Sequence, residues 1–232
     1  MESVPLLSVC NVSNVYANRR YGALGTIEKK PVLNLANLEM KEGEIFGLTG
    51  KSGCGKTTLA KCILGLIDYK GEIFVLGKKQ TGSKTVQMVF QDPGVSLNPE
   101  KKIGWLMEEP LLIHKIKSIK ERTQAVDEML LKVGLDPSCK TRSVHELSGG
   151  QKQRVCIGRA LILKPRLLIA DEAISSLDVS AGAQILNLFR ELNENLNLGI
   201  LFISHNRNAV DYLCDNTAAM EKGRILSNRL VR

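Results

Sequence analysis

Eight consecutive residues, Gly50-Lys51-Ser52-Gly53-Cys54-Gly55-Lys56-Thr57, carry the most explicit chemistry in the chain. Their types and spacing fit the pattern G-x-x-x-x-G-K-[ST], in which glycines let consecutive backbone N–H groups turn inward around a phosphate. Lys56 would reach the β- and γ-phosphates of a nucleotide, and the Thr57 hydroxyl would ligate Mg²⁺. The plain alternative is a glycine-rich turn with a surface lysine. The flanking sequence argues against it. Glu44-Ile45-Phe46-Gly47-Leu48 reads as a short buried strand, and Thr57 to Leu64 has apolar residues at helical spacing. Strand, loop and helix start is the frame this pattern needs, and the helix start adds partial positive charge.

The second half of the chain carries residues that act on a phosphate. Leu167-Leu168-Ile169-Ala170 runs into Asp171-Glu172, so Asp171 stands at a strand's C-terminal end, where ligands bind in open α/β sheets. Asp171 would hold Mg²⁺ directly or through water, and Glu172 would orient and polarise an attacking water. Gln91 ends another strand and would reach Mg²⁺ or that water through its amide. His205 follows a buried strand ending at Ser204 and would hydrogen-bond the γ-phosphate. Taken singly, each is as readily a turn residue, a solvated acid or a structural histidine. Leu147-Ser148-Gly149-Gly150-Gln151-Lys152-Gln153-Arg154 changes that balance. Ser148 can cap the following helix, while Gly149 and Gly150 leave backbone N–H groups unobstructed. This is a second phosphate-binding end, which one nucleotide cannot share with the first loop inside one compact subunit. Two subunits packed head to tail satisfy the geometry.

Behind these residues lies an alternation of strands and helices. Leu6 to Val15 and Pro31 to Met40 have strand character, the second leading to the turn Lys41-Glu42-Gly43. Tyr16 to Lys30 is polar and basic and reads as a loop. Lys70 to Gly77 and Thr85 to Phe90 are further strands, the latter stopping at Gln91-Asp92-Pro93-Gly94. From about Lys101 to Leu163 the periodicity is helical. Ile119, Val126, Met129, Leu130 and Val133 form one apolar stripe, ended by Asp136-Pro137-Ser138, and a further helix runs from about Ser148 to Leu163. Strands return at Arg166 to Ala170, Gly199 to Ser204, Asn216 to Met220 and Arg224 to Leu226. Ser180 to Leu196 is a helix with Ile185, Leu188, Phe189, Leu192 and Leu196 on one face. The pattern predicts an α/β fold with a mostly parallel central sheet and a helical lobe inserted in its middle.

Composition bounds the partners. The 232 residues can bury one sizeable core with a smaller lobe. Aromatics are 4% of the chain, which leaves little material for base stacking. The net charge of +8 comes from scattered lysines and reads as a solvated basic surface. Six cysteines, at 10, 54, 62, 139, 156 and 214, include no C-x-x-C pair and look like small buried hydrophobes of a reducing compartment. No N-terminal stretch pairs a basic start with an apolar run, and Arg159, Lys164 and Arg166 interrupt the greasiest region, Val155 to Ala170. The expectation is a cytosolic protein without a signal peptide or membrane span.

Together the motifs resemble the nucleotide-binding subunit of an ABC transporter over nearly the full length. Gly50–Thr57 matches the Walker A motif, Gln91 the Q-loop and Leu147–Gln151 the LSGGQ signature. Leu167–Glu172 matches Walker B, Ser176-Leu177-Asp178 the D-loop and His205 the switch histidine. The resemblance implies a P-loop NTPase of ABC ATPase fold, with an N-terminal antiparallel β subdomain and an inserted α-helical subdomain. It implies a RecA-like core over 1–95 and 164–232, and a helical signature subdomain over about 96–163. ATP and Mg²⁺ would be the cofactors. Tyr16, with Tyr21 as a weaker candidate, would stack on adenine. Gly50, Ser52, Gly53, Cys54, Gly55, Lys56, Thr57 and Thr58 would hold the phosphates. Ser148, Gly149, Gly150, Gln151 and Asp178 would close on the nucleotide from a partner. Thr57, Gln91 and Asp171 would ligate the metal, and Glu172, His205, Lys56 and Gln91 would serve catalysis.

A finer likeness is to peptide and nickel importer ATPases. Val89-Phe90-Gln91-Asp92-Pro93 with Ser96-Leu97-Asn98-Pro99, Leu177-Asp178-Val179-Ser180 and Gln184 to Leu188 carry it. The sequence departs at Ala173-Ile174, where the family has Pro-Thr or Pro-Val, and at Asn206, where the subfamily has aspartate. Its stop at Arg232 resembles the shorter second ATPase of nickel or metallophore importers. The implied partners are a second ATPase, identical or more usually a paralogue, two membrane-spanning permease subunits and, indirectly, an extracytoplasmic binding protein. The expected place is the cytoplasmic face of the membrane, with no nucleic acid bound. The runner-up is a soluble ABC ATPase acting on nucleic acid or the ribosome, although the chain has neither a second cassette nor a long coiled-coil insertion. A GTPase or kinase would leave the signature octet unexplained, and a degenerate cassette is opposed by Lys56, Asp171, Glu172 and His205.

Overall fold

The structure is a computed structural model. It describes every residue except 1–3, 20–26, 80–83, 116–117, 227–228 and 231–232, with only the backbone described for 16–19, 27–30 and 229–230. In chain order the elements are β1 (Leu7–Arg19), β2 (Ile27–Met40), β3 (Ile45–Thr49), α1 (Lys56–Ile63), β4 (Lys70–Val75), β5 (Lys78–Lys79) and β6 (Val86–Val89). They continue with α2 (Pro93–Ser96), α3 (Ile103–Ile113), α4 (Ile119–Lys132), α5 (Gly149–Leu161), β7 (Leu167–Asp171) and α6 (Val179–Leu196). β8 (Gly199–Ile203), α7 (Arg207–Leu213), β9 (Asn216–Glu221), β10 (Arg224–Ile225) and β11 (Arg229–Leu230) complete the series. The chain divides into two compact units, one formed by residues 1–83 with 201–232 and the other by 84–200.

In the first unit a four-stranded antiparallel sheet has the order β2-β1-β4-β5. Its inward positions change phase along the chain. On β1 they are Leu7 and Val9, then Val12 and Asn14; on β2 they are Leu33, then Ala36, Leu38 and Met40. A strand with strict period 2 cannot do this, and each break is a bulge that inserts one residue. Asn11 (φ 53) and Leu35 (φ 50) are the left-handed residues at the two breaks. Leu35 is pushed out to solvent, and its amide is held by the Ser13 hydroxyl at 3.0 Å.

The loop expected over Tyr16–Lys30 is shorter than that. β1 runs to Arg19 and β2 starts at Ile27, with Tyr16 opposite Lys30 and Arg19 opposite Ile27. Backbone pairing carries the hairpin through residues whose side chains give no apolar alternation. The expected parallel arrangement begins at β3, which is buried along most of its length and pairs in parallel with β9. A strand covered on both faces reads as a continuous apolar run. β10 and β11 pair antiparallel with β9.

In the second unit β6 and β7 pair in parallel, from Val86 opposite Leu167 to Val89 opposite Ala170. The helical stretch between them is α2 to α5 with two 3₁₀ turns at Pro137–Thr141 and Val144–Glu146. α4 starts with a capping box, in which Ser118 N donates to Glu121 Oε2 at 2.9 Å while Ser118 Oγ accepts from Glu121 N at 3.4 Å. Val126, Met129, Leu130 and Val133 of its stripe are buried, but Ile119 is 73% exposed because it is the first residue of the helix. α6 buries Ile185, Leu188, Phe189 and Leu192, and leaves Leu196 at its end exposed.

Four of the cysteines, Cys62, Cys139, Cys156 and Cys214, are buried, and all six are free thiols. Burial pushes Cys62 up to about 11 and Cys156 to about 12, and raises Cys139 and Cys214 as well, so these thiols stay protonated and unreactive at neutral pH. Among the described residues no helix is long and apolar enough to cross a membrane.

Candidate functional site

In the first unit the glycine loop is held by its own backbone geometry. It leaves β3 at Thr49 and enters α1 through Gly55, whose φ of 117° lies in the left-handed half of the map. Gly50 has φ 150°, and a Cβ there would lie 2.4 Å from Met220 O and 2.8 Å from Cys54 Sγ. Gly53 (φ 75°) has nothing among the described residues within 4 Å of where its Cβ would be, so conformation asks for glycine there. The two positions predict different costs. Gly50→Ala combines a clash with a disfavoured backbone and should lower the melting temperature by about 5–10 °C, against about 2–4 °C for Gly53→Ala. Differential scanning calorimetry of the two variants measures the contrast.

Lys56 is only 7% exposed, and its ammonium folds back over the loop, donating to Gly50 O at 2.7 Å and Lys51 O at 3.2 Å. α1 has no side chain capping its N-terminus and no acidic residue in its first turn. Its leading N–H groups therefore keep the partial positive charge of a helix start without a side-chain cap, with a buried cation alongside. Thr57 and Ser52 are exposed and Thr58 is half-buried. Cys54 N donates to Lys51 O at 3.2 Å, closing the turn, and Gly223 N donates to Cys54 O at 2.9 Å. Gly223 is a brace that reading the sequence missed. A Cβ on it would sit 2.2 Å from Val32 O. The only sequence signal was a Lys-Gly turn between two short strands.

His205 belongs to the same unit. Ser204 N donates to Leu48 O of β3 at 3.3 Å, so the exposed His205 departs from beside the strand that feeds the loop. Asn206, the departure from the subfamily pattern, has a local task. Its Oδ1 accepts from Ala209 N at 3.2 Å as the N-cap of α7, which asparagine performs as well as aspartate. The backbone of Tyr16 pairs with Lys30, but its side chain, and all of Tyr21, lie outside the described residues.

The second unit holds the remaining candidates. Gln91 is exposed just after β6. Asp92 follows and caps α2, its Oδ1 accepting from Gly94 N at 2.7 Å. Arg159 of α5 donates to Ser96 O at the end of α2 at 3.1 Å and pairs with Glu109 of α3. Reading the sequence took Arg159 only as a charge that breaks an apolar run; here it ties three helices together. Asp171 is 5% exposed at the end of the fully buried β7, and Glu172 is half-buried with φ 52°.

Ser148 and Gln151 form a capping box on α5. Ser148 N donates to Gln151 Oε1 at 3.0 Å, and Gln151 N donates to Ser148 Oγ at 3.3 Å. The two glycines between them are not required by this chain's own packing. A Cβ on Gly149 would meet Leu177 Cδ2, and one on Gly150 would meet Ala181 Cβ, both at an ordinary 3.4 Å. Neither has positive φ. Neither a clash nor the backbone conformation therefore accounts for glycine at these two positions. Asp178 caps α6 by accepting from Ala181 N at 2.9 Å.

For the metal, the candidate donors Thr57, Gln91 and Asp171 are all hard oxygens, as Mg²⁺ requires. Among the described residues no three His, Cys, Asp or Glu side chains gather as a metal site.

The family profile described as ABC transporter matches residues 33–175. The oligopeptide transport ATP-binding protein AppF of Bacillus subtilis is 42% identical over 203 residues, covering 82% of this chain and 61% of that protein. The dipeptide transport ATP-binding protein DppF of Haemophilus influenzae is 38% identical over 235 residues, covering 97% of this chain and 72% of that protein. The chain thus spans about 60–70% of the length of these relatives. Among solved structures, cbiO1 from Clostridium perfringens, part of the ABC transporter complex cbiONQ, superposes with a TM-score of 0.84 at 26% identity, over 98% of this chain and 89% of that one. The ATP-binding cassette MJ0796, in a dimeric post-hydrolysis state with ADP and Pi, gives 0.82 at 27% identity, over 97% and 99%.

Proposed function

The chain belongs to the ABC transporter family, and on that premise we propose that it is the ATP-hydrolysing subunit of an importer for small peptides. The observation that carries this reading is the side-chain-uncapped start of α1 with the buried ammonium of Lys56 laid over the loop's carbonyls. Lys56 is a cation already in place and exchanges those carbonyls for phosphate oxygens when a nucleotide enters. The backbone amides of the loop and Thr58 share the remaining oxygens.

Thr57, Gln91 and Asp171 would hold Mg²⁺, which when bound neutralises charge on the phosphates. Glu172 orients a water for in-line attack and takes up its proton. The bond from the γ-phosphorus to the bridging oxygen breaks, and ADP and phosphate leave. Lys56 and His205 stabilise the charge that spreads over the transferred group. Ser148, Gly149 and Gly150 of a second subunit complete the enclosure, for which the bare glycine backbone of α5 is suited. Gln151, with its Oε1 engaged by Ser148, offers its NH₂ donors, and Asp178 adds a rim contact. The site residues, the division into core and helical lobe, and the head-to-tail dimer are parts of this one proposal.

Coupling to a membrane subunit has a candidate surface within the second unit. A groove of about 350 Å³ is lined by Gln87, Phe90, Pro110, Ile113, Arg159 and Leu163. Phe90 and Ile113 are exposed apolar side chains in its lining, as befits a patch that another protein covers. The peptide-class cargo rests on the names of the relatives and on the Q-loop stretch, with nickel or metallophore import the less supported version.

The test is purification of the tagged chain from native membranes in mild detergent. Two integral membrane subunits and a second ATPase should come with it, together with Mg²⁺-dependent release of phosphate from ATP. Recovery wholly without membrane partners, with hydrolysis stimulated by nucleic acid, would instead support the soluble rival.

A further inference from the structure

The turn that follows Asp171 is built around one strained residue. β7 is buried at all five positions, and an extended chain would continue past it. Instead Glu172 adopts φ 52°, a conformation that costs any residue with a Cβ. The carbonyl of this residue accepts from both donors of Ser175, the backbone N at 3.0 Å and the hydroxyl Oγ at 2.9 Å. Ala173, 1% exposed, anchors the turn from beneath. Leu177 N donates to Ile174 O at 3.2 Å, and Asp178 then caps α6.

The direction of the Glu172 side chain and the hold on its carbonyl are one variable. Returning Glu172 to an extended conformation would re-aim its Cβ and, in the same rotation, swing its carbonyl away from both Ser175 donors. We propose that Ser175 is a positioning residue for Glu172, its hydroxyl fixing the left-handed backbone that aims the carboxylate. This rests on the assignment of Glu172 as the group that orients the attacking water. The backbone N of Ser175 closes the turn whatever its side chain, so the hydroxyl is the separable part. It stands in solvent-exposed surface, where one net hydrogen bond is a modest effect on the population of a backbone state.

Ser175→Ala in the full chain, assayed with its partners for steady-state ATP hydrolysis, should lower kcat about threefold to tenfold, the weight of one exposed hydrogen bond. KM for ATP should stay within about twofold, because the residue touches no phosphate, and the melting temperature should hardly move. Ser175→Thr keeps the hydroxyl and should restore kcat. An alanine variant with unchanged kcat overturns the proposal. So does one whose KM rises in step with the loss of kcat, or a threonine variant no better than alanine. Glu172→Gln, run in parallel, separates the premise from the inference. If Glu172→Gln hydrolyses ATP normally, the role of Glu172 fails and the proposal with it. If it is inactive while Ser175→Ala is normal, only the proposal fails.

Discussion

Glu172→Gln should bind ATP with an affinity within about twofold of the parent and hydrolyse it roughly 10²- to 10⁴-fold more slowly, the usual weight of a positioned general base. Glutamine keeps the length and hydrogen-bonding capacity of the side chain but cannot take a proton from water at neutral pH. The substitution is also structurally mild. Glu172 is half-buried, and its φ of 52° is met by the carbonyl bonds from Ser175, which do not depend on the carboxylate. Isothermal titration with ATP and phosphate-release kinetics check the two halves separately. Because the nucleotide then persists, the variant should also accumulate more of the proposed ATP-dependent dimer on size exclusion than the parent does. Hydrolysis by the variant above about a tenth of the parent rate would remove Glu172 from the reaction.

Such a prediction was accessible from residue order alone because this chemistry sits on short local motifs. Walker A, Walker B and the signature each place a candidate site residue at a fixed offset from a strand end or a helix start. β3 and β7 were legible for a related reason: strands buried on both faces have no polar phase to obscure them. α6 was legible from Ile185, Leu188, Phe189 and Leu192 at helical spacing.

What escaped was held by backbone. The hairpin beyond Tyr16 is a ladder of main-chain pairs, which leaves no trace in side-chain polarity. The paired bulges at Asn11 and Leu35 invert the inward face halfway along both strands, so no single alternation runs the length of either. The left-handed Glu172 looks in sequence like any acid after an apolar run. Gln153 is a further case. It lies in the polar opening of α5, yet it is 0% exposed, and among the described residues neither side-chain amide atom has a hydrogen-bond partner.

The removal of one charge should have the second large effect. Lys56→Met keeps an unbranched stem of similar bulk in a position that is 7% exposed, but takes away the ammonium that now lies on Gly50 O and Lys51 O. A buried cation resting on carbonyl dipoles is only partly compensated, and an arriving triphosphate supplies the opposite charge it lacks. Hydrogen bonds to charged groups contribute about 1.5–3 kcal/mol each. Losing those to the β- and γ-phosphates, less the smaller cost of leaving two carbonyls without their donor, should weaken ATP binding by about 2–4 kcal/mol, roughly 30- to 1,000-fold. Stability should move little, because methionine fills the same space without the desolvation penalty of a charge. Lys56→Arg should not rescue binding, since a planar fork does not fit where a compact ammonium reaches between Gly50 and Lys51. Thermal shift separates these effects. The Lys56→Met protein should melt within about 3 °C of the parent without nucleotide, yet gain almost nothing from millimolar ATP, whereas the parent's gain grows with the logarithm of ligand over Kd. A full ATP-induced shift in Lys56→Met would mean that the loop amides hold the phosphates without the lysine, and that its ammonium serves the loop rather than the ligand.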